Sequence, residues 1–207
     1  LSLFEGVAPA YDLTTWNLID TDAGTPGIQP TDGYRLPSES EWERAAAWDS
    51  ATDTHYIYGV SADHLWADLG WIFTSKSRAN FYDFNPTYVN PLGLATMPYT
   101  SPVGWFNGVN SSPNGPMPTV DSRSPVGCYD MSGNVFEWCH DWYAAYTSSA
   151  KTNPFGPENG THRILRGGSW GDEAQFCRTA FRYGNPPEIT YYHMGFRIAR
   201  SVVATEE

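Results

Sequence analysis

Across 207 residues the chain carries a net charge of −11, although only 17% of its residues are charged. Lys76 and Lys151 are its lysines and the rest of the 12 basic residues are arginine, so the basic footprint that nucleic-acid binding needs is missing. Nineteen glycines, 16 prolines and nine tryptophans describe a loop-rich domain long enough to bury a core, not a helix bundle, and surplus carboxylates suit calcium, which takes oxygen ligands.

Residues 1–34 are polar and turn-rich, punctuated by Thr25-Pro26-Gly27 and Asp32-Gly33, with Trp16 as an apolar anchor; they read as a connecting segment. The strongest helix signal follows. In L-P-S-E-S-E-W-E-R-A-A-A-W, Ser38 is placed to cap and Glu41 to close a capping box, while Glu39, Glu41 and Glu43 favour the positive helix start. Trp42, Ala45 and Ala46 form the apolar stripe, and the carboxylates read as a solvated helix start.

Residues 50–125 show little periodicity. Tyr56-Ile57-Tyr58-Gly59 reads as a short strand, Arg78-Ala79-Asn80-Phe81 as a fixed segment, and Pro91-Leu92-Gly93 and Asn107–Pro118 as loops. Such a long irregular connection is ordered by packing, by metal or by function, and Trp66, Trp71, Phe73, Trp105 and Phe106 argue against disorder.

Next comes G-C-Y-D-M-S-G-N-V-F-E-W-C-H-D-W-Y. Asp130 and Glu137 lie seven apart with Gly133 and Asn134 between them. A tight loop there would turn both carboxylates, with the carbonyls of Gly133 and Val135, toward one calcium ion. The alternative is a turn feeding a strand whose aromatics, Phe136, Trp138 and Trp142, pack inward. A Pro/Gly loop over 152–159 then leads to Arg163–Arg200, whose ends, I-L-R-G-G-S-W and G-F-R-I-A-R, read as fixed strands with Trp170 and Phe196 in the core. The middle, rich in aromatic and small polar residues, reads as surface.

Three cysteines, Cys128, Cys139 and Cys177, make no disulfide framework and no zinc spacing. No apolar run approaches the roughly 20 residues of a membrane span. The chain opens on Leu1 without a signal peptide or a Met, so the compartment stays open, as does a signal in preceding sequence.

Four blocks, G-Y-R-L-P-S-E-S-E-W-E-R-A-A, G-C-Y-D-M-S-G-N-V-F-E-W, R-I-L-R-G-G-S-W and G-F-R-I-A-R, resemble the formylglycine-generating-enzyme (sulfatase-modifying-factor) domain. The resemblance implies an α+β, C-type-lectin-like fold with much irregular structure, one domain over 1–207, and a start at Leu1–Gly6 already inside it. It also implies structural calcium at Asp130, Gly133, Val135 and Glu137. A further calcium site would begin at Asn80 and Phe81, but Ala95-Thr96-Met97-Pro98 lacks the acid it needs. The family's copper-binding cysteine pair falls on Asp172 and Cys177. One thiolate and a hard carboxylate do not suit Cu(I), so no copper and no oxidase activity are expected. Ser169 then reads as either a site residue or a turn hydroxyl, and Cys177 as a buried small hydrophobe.

The same C-terminal frame, R-G-G-S-W, then C-R-T-A-F-R, then G-F-R, is similar to that of the variable proteins of diversity-generating retroelements. That likeness implies a ligand-binding segment over 165–200 displaying Gly171, Asp172, Ala174, Phe176, Thr179, Phe181, Tyr183, Gly184, Ile189, Tyr191, Tyr192 and His193. Tyrosines among small residues make a paratope-like composition. The expected partner is a protein or cell-surface ligand, with cell-surface or extracellular placement, no nucleic acid and no catalysis. The alternative is a divergent oxidase of the same family, with Cys177 and Ser169 at its site.

Overall fold

A computed structural model describes residue 5 and residues 33–65, 77–82, 96–111, 118–152 and 154–200. Trp16, Trp66, Trp71, Phe73, Pro91-Leu92-Gly93 and part of the Asn107–Pro118 loop fall outside these residues. The described chain is α+β and mostly irregular. Its elements are β1 (Tyr34–Arg35), α1 (Glu39–Ala47), β2 (Trp48–Asp49), β3 (Thr54–His55), β4 (Phe136–Trp142), β5 (Arg163–Arg166), β6 (Tyr183–Asn185), β7 (Met194–Phe196) and β8 (Ala199–Arg200).

The central sheet has the order β6-β5-β4-β7, antiparallel except for the parallel pair of β4 with β7. Both fixed ends of the 163–200 stretch are therefore strands, and they flank β4. β1 pairs with β8, and β2 with β3. The strand expected at Tyr56–Gly59 is displaced: Thr54–His55 pairs with β2, and Tyr58 makes single bridges to Ala62 and Arg178.

Helix α1 starts where the capping box places it. The Ser38 hydroxyl accepts from the Glu41 amide, and the Glu41 carboxylate accepts from the Ser38 amide at 2.9 Å. Its inner face meets β4, where the two-residue strand period turns Glu137, Cys139 and Asp141 to the same side. Trp42 donates its indole N–H to Glu137 at 2.6 Å, and the Glu39 amide donates to Asp141 at 2.8 Å. Trp42, Ala46, Met131, Cys139 and Ile164 form the core between them. A second cluster, with Val60, Leu65, Ala79, Phe81 and Cys177, fills the irregular half. So the 50–125 stretch, where described, is ordered by packing.

The carboxylates of α1 are not simply solvated. Glu39 is buried, because Arg182 reaches it from far along the chain with Nε at 2.5 Å and Nη2 at 2.7 Å.

Asp141 lies in this buried interface, and burial, with Glu39 and Glu41 nearby, pushes its carboxyl up to about 6 from 3.8. A raised acid contributes its stability fully below the unfolded value and loses it as pH rises through the folded one. Asp141→Asn, whose amide oxygen still accepts from the Glu39 N–H, should leave stability unchanged near pH 4 and add about 2 kcal/mol at pH 8. Denaturant unfolding at a series of pH values measures this. An equal effect at both ends would refute it.

Candidate functional site

The 165–200 segment is built outward from Phe136, a buried ring at the start of β4. Tyr183 and His193 pack on it at 5.6 and 6.4 Å between ring centroids, and Phe181 lies at 6.5 Å and continues to Phe176 at 5.2 Å. On the other arm Tyr191 stacks on His193 at 5.3 Å and 7°, while Tyr192 meets His193 edge-on and stacks on Trp170 at 6.0 Å. Trp170 is braced by Tyr99, at 5.0 Å edge to face. The rings thus form one continuous platform with a buried root and open tips: Tyr183, Tyr191 and Tyr192 are 44%, 53% and 56% exposed. Phe136 opens β4, Tyr183 opens β6 and His193 directly precedes β7, so the tips are rooted in the central sheet.

The predicted display residues divide. Gly171 joins those three tyrosines in being exposed, while Asp172, Phe176, Phe181, Gly184, Ile189 and His193 are half-buried at the base or flank. One of the display residues is corrected. Thr179 is 1% exposed, its hydroxyl within hydrogen-bond reach of the Tyr56 and Ile57 carbonyls, so it anchors the segment and displays nothing. Ala174 packs partly buried against the second core cluster. In the opposite sense Phe196, expected in the core, is 67% exposed. The next residue, Arg197, turns inward to Glu137, and strand alternation puts Phe196 out. Trp170 is half-buried, not core. Phe136 and Tyr99 were not foreseen as parts of the site. Only the inward aromatic pattern of F-E-W hinted at the first.

At the positions of the family's thiol pair, Asp172 and Cys177 are neighbours: the Cys177 thiol lies 4.0 Å from the Asp172 carbonyl oxygen. Burial, with Asp172 adding negative charge, pushes the Cys177 thiol well up, away from the thiolate form that a nucleophile or a metal ligand uses. Ser169 is a turn hydroxyl, donating to the Asp172 carboxylate and accepting from the Gly171 amide at 3.2 Å. Cys128, Cys139 and Cys177 are all free thiols.

Glu137, one of the four predicted calcium ligands, has both oxygens engaged. Oε1 accepts from Arg197 Nη2 at 2.6 Å, and Oε2 accepts from Arg197 Nε at 2.5 Å and from Trp42. Arg197 Nη2 also reaches the carbonyl oxygens of Tyr129 and Asp130, and the Asp130 carboxylate accepts from the Gly104 amide at 2.7 Å. In this arrangement the positive charge held by the 129–137 loop is a guanidinium. The donor set does not fit calcium unless Arg197 gives up Glu137. Among the described residues no group of three or more His, Cys, Asp or Glu side chains is placed to hold a metal ion, and no helix is long and apolar enough to cross a membrane.

Among solved structures, the chain is similar to variable protein 1 of Treponema denticola, with a TM-score of 0.51 and 24% identity over 93% of this chain and 54% of that one. It is also similar to PvdO from Pseudomonas aeruginosa, with a TM-score of 0.56 and 26% identity over 83% and 54%. In sequence it is 31% identical to the formylglycine-generating enzyme of Streptomyces coelicolor, over 84% of this chain and 48% of the enzyme. It is 35% identical to the serine/threonine-protein kinase Pkn1 of Chlamydia trachomatis, over 82% of this chain and 22% of the kinase. The chain therefore spans about half the length of the enzyme and under a quarter of the kinase. The family model for FGE-sulfatase, the sulfatase-modifying factor enzyme 1-like domain, matches residues 8–202, and the chain belongs to that family.

Proposed function

We propose that this chain is a non-catalytic ligand-binding member of the family, a lectin-type scaffold that displays the 165–200 segment as the variable protein of a diversity-generating retroelement does. The observation that carries this reading is the rooted aromatic platform, whose tyrosine tips are open while their base is fixed. Rigid aromatics with few rotatable bonds lose little entropy on binding, which is how paratopes use them. Large exposed rings held side by side also mark interaction surfaces. Supporting it, Asp172 stands where oxidase chemistry would need a thiolate, and the remaining thiol is buried and protonated. A domain that also forms part of a longer chain named as a kinase suits a recognition module. The proposed partner is a protein or another cell-surface ligand met outside the cytoplasm.

Calcium remains in this reading as a structural ion of the Asp130, Gly133, Val135 and Glu137 loop, in exchange with Arg197. Copper has no place in it.

Two experiments test the proposal. Sequencing the neighbouring DNA should find a reverse-transcriptase gene and a near-copy of the segment coding for 165–200, differing at adenines. Assaying the purified protein with Cu(I) and a cysteine-containing peptide should give no oxidation, and Cys177→Ser should keep the fold and the platform intact. Copper-dependent oxidation of the peptide, lost in Cys177→Ser, would overturn the reading in favour of a divergent oxidase.

A further inference from the structure

A cleft of about 850 Å³ opens between α1 and the segment 144–157, lined by residues separate from the aromatic platform. That volume lies in the range of small-molecule sites, roughly 300–1,000 Å³. Four carboxylates line it, Glu39, Glu41, Glu43 and Asp141, which at first suggests a site for cations. Arginines neutralise three of them.

Glu39 is held by Arg182 through two nitrogens and by the Tyr146 hydroxyl at 3.3 Å. Glu41 is held by both terminal nitrogens of Arg35, at 2.7 and 2.8 Å. Glu43 pairs with Arg166, and Asp141 accepts the Glu39 amide. Arg44 and Lys151 also line the cleft and are exposed, and neither side chain has a hydrogen-bond or ion-pair partner among the described residues.

The apolar walls are also unequal. Trp142 is covered by the Arg163 guanidinium at 3.6 Å and Tyr146 by that of Arg182 at 3.9 Å. Trp48 in β2 is half-buried and no cation among the described residues covers it, leaving an indole surface for a flat apolar group.

We propose that this cleft binds a small organic anion, an acid group carried on an aromatic ring, with the acid held by Arg44 and Lys151 and the ring laid against Trp48. Arginine and lysine both take carboxylates and phosphates, so the shared chemistry is the anion. The site would serve a ligand distinct from that of the aromatic platform.

The test is calorimetric titration of the whole chain with biphenyl-4-carboxylate and, separately, with phenyl phosphate; 4-(aminomethyl)biphenyl is the cationic control. At least one acid should bind saturably, and which one does so identifies the acid group. Arg44→Glu/Lys151→Glu should weaken it by at least about tenfold, some 1.4 kcal/mol, while Tyr191→Ala/Tyr192→Ala leaves it unchanged. Should the charge reversal fail to fold, Arg44→Gln/Lys151→Gln replaces it and should also lower the affinity. Tighter or equal binding of the amine, undiminished binding in the charge variants, or no saturable binding of either acid overturns the proposal.

Discussion

Replacing Gly133 with alanine is expected to lower the free energy of unfolding by about 4 kcal/mol, a large share of a domain's total. Gly133 has φ +77°, in the left-handed region, and a Cβ there would meet the Asn80 carbonyl carbon at 3.0 Å and its oxygen closer still. The neighbour cannot move aside cheaply, because it is backbone and already bonded: the Asn134 amide donates to the Asn80 oxygen at 2.7 Å. The Asn80 side chain is itself tied to the Tyr99 carbonyl at 2.6 Å. Overpacking, left-handed strain and a weakened buried hydrogen bond then act together.

Gly127→Ala separates these effects. Gly127 has φ +88° but nothing within 4 Å of a Cβ, so its substitution should cost only the conformational term, about 1–2 kcal/mol. Denaturant midpoints at constant m-value give both numbers. Equal losses would mean that the contact with Asn80 contributes nothing. The difference also reaches the platform, since the Trp170 amide donates to the Asn134 carbonyl at 2.9 Å and the Asn134 side chain accepts from the Ser101 amide. Gly133 stands where three distant segments cross beneath the aromatic surface.

The parts of the fold that sequence makes legible are those written locally. S-E-S-E encodes the cap of α1 because its donors and acceptors lie within one turn, and R-I-L-R encodes β5 because branched and apolar residues recur there. Other features depend on partners far along the chain. Glu39 is buried only because Arg182 comes to it across 143 residues, and no local pattern announces that. Phe196 points outward because the adjacent Arg197 is claimed by a buried Glu137, which reverses the face that hydrophobicity alone would choose. Thr179 has the composition of a display residue, but the Tyr56 and Ile57 carbonyls hold it inside. The middle of the 163–200 stretch was thus readable as surface, but not which of its side chains form root and which form tip.

Removing Glu39 should be about as damaging as filling the space at Gly133: Glu39→Ala is expected to cost about 4 kcal/mol, in the range for breaking a buried ion pair from one side. Its carboxylate stands between two arginines, with Arg166 Nε 3.6 Å away and Arg182 bonded bidentately. Without it both guanidiniums remain in the interface. Arg166 is fully buried and keeps Glu43 and, at 2.6 Å, the Phe181 carbonyl; Arg182 keeps the Ala144 carbonyl at 2.8 Å and its stack on Tyr146. Removing Arg182 as well should restore part of the loss, because one uncompensated cation leaves with it, and a double-mutant cycle reads that coupling directly. A second readout is independent of global stability. Burial and the Glu39 charge hold the Tyr146 phenol up at about 12, so in Glu39→Ala its titration should move back toward the ordinary value of 10.0. A loss below about 1 kcal/mol with an unmoved Tyr146 would mean that the two arginines had found other partners. Because Phe181 and Arg182 lie at the foot of the aromatic platform, the same substitution should loosen it. The ion network of α1 is therefore part of what holds the tyrosine tips in place.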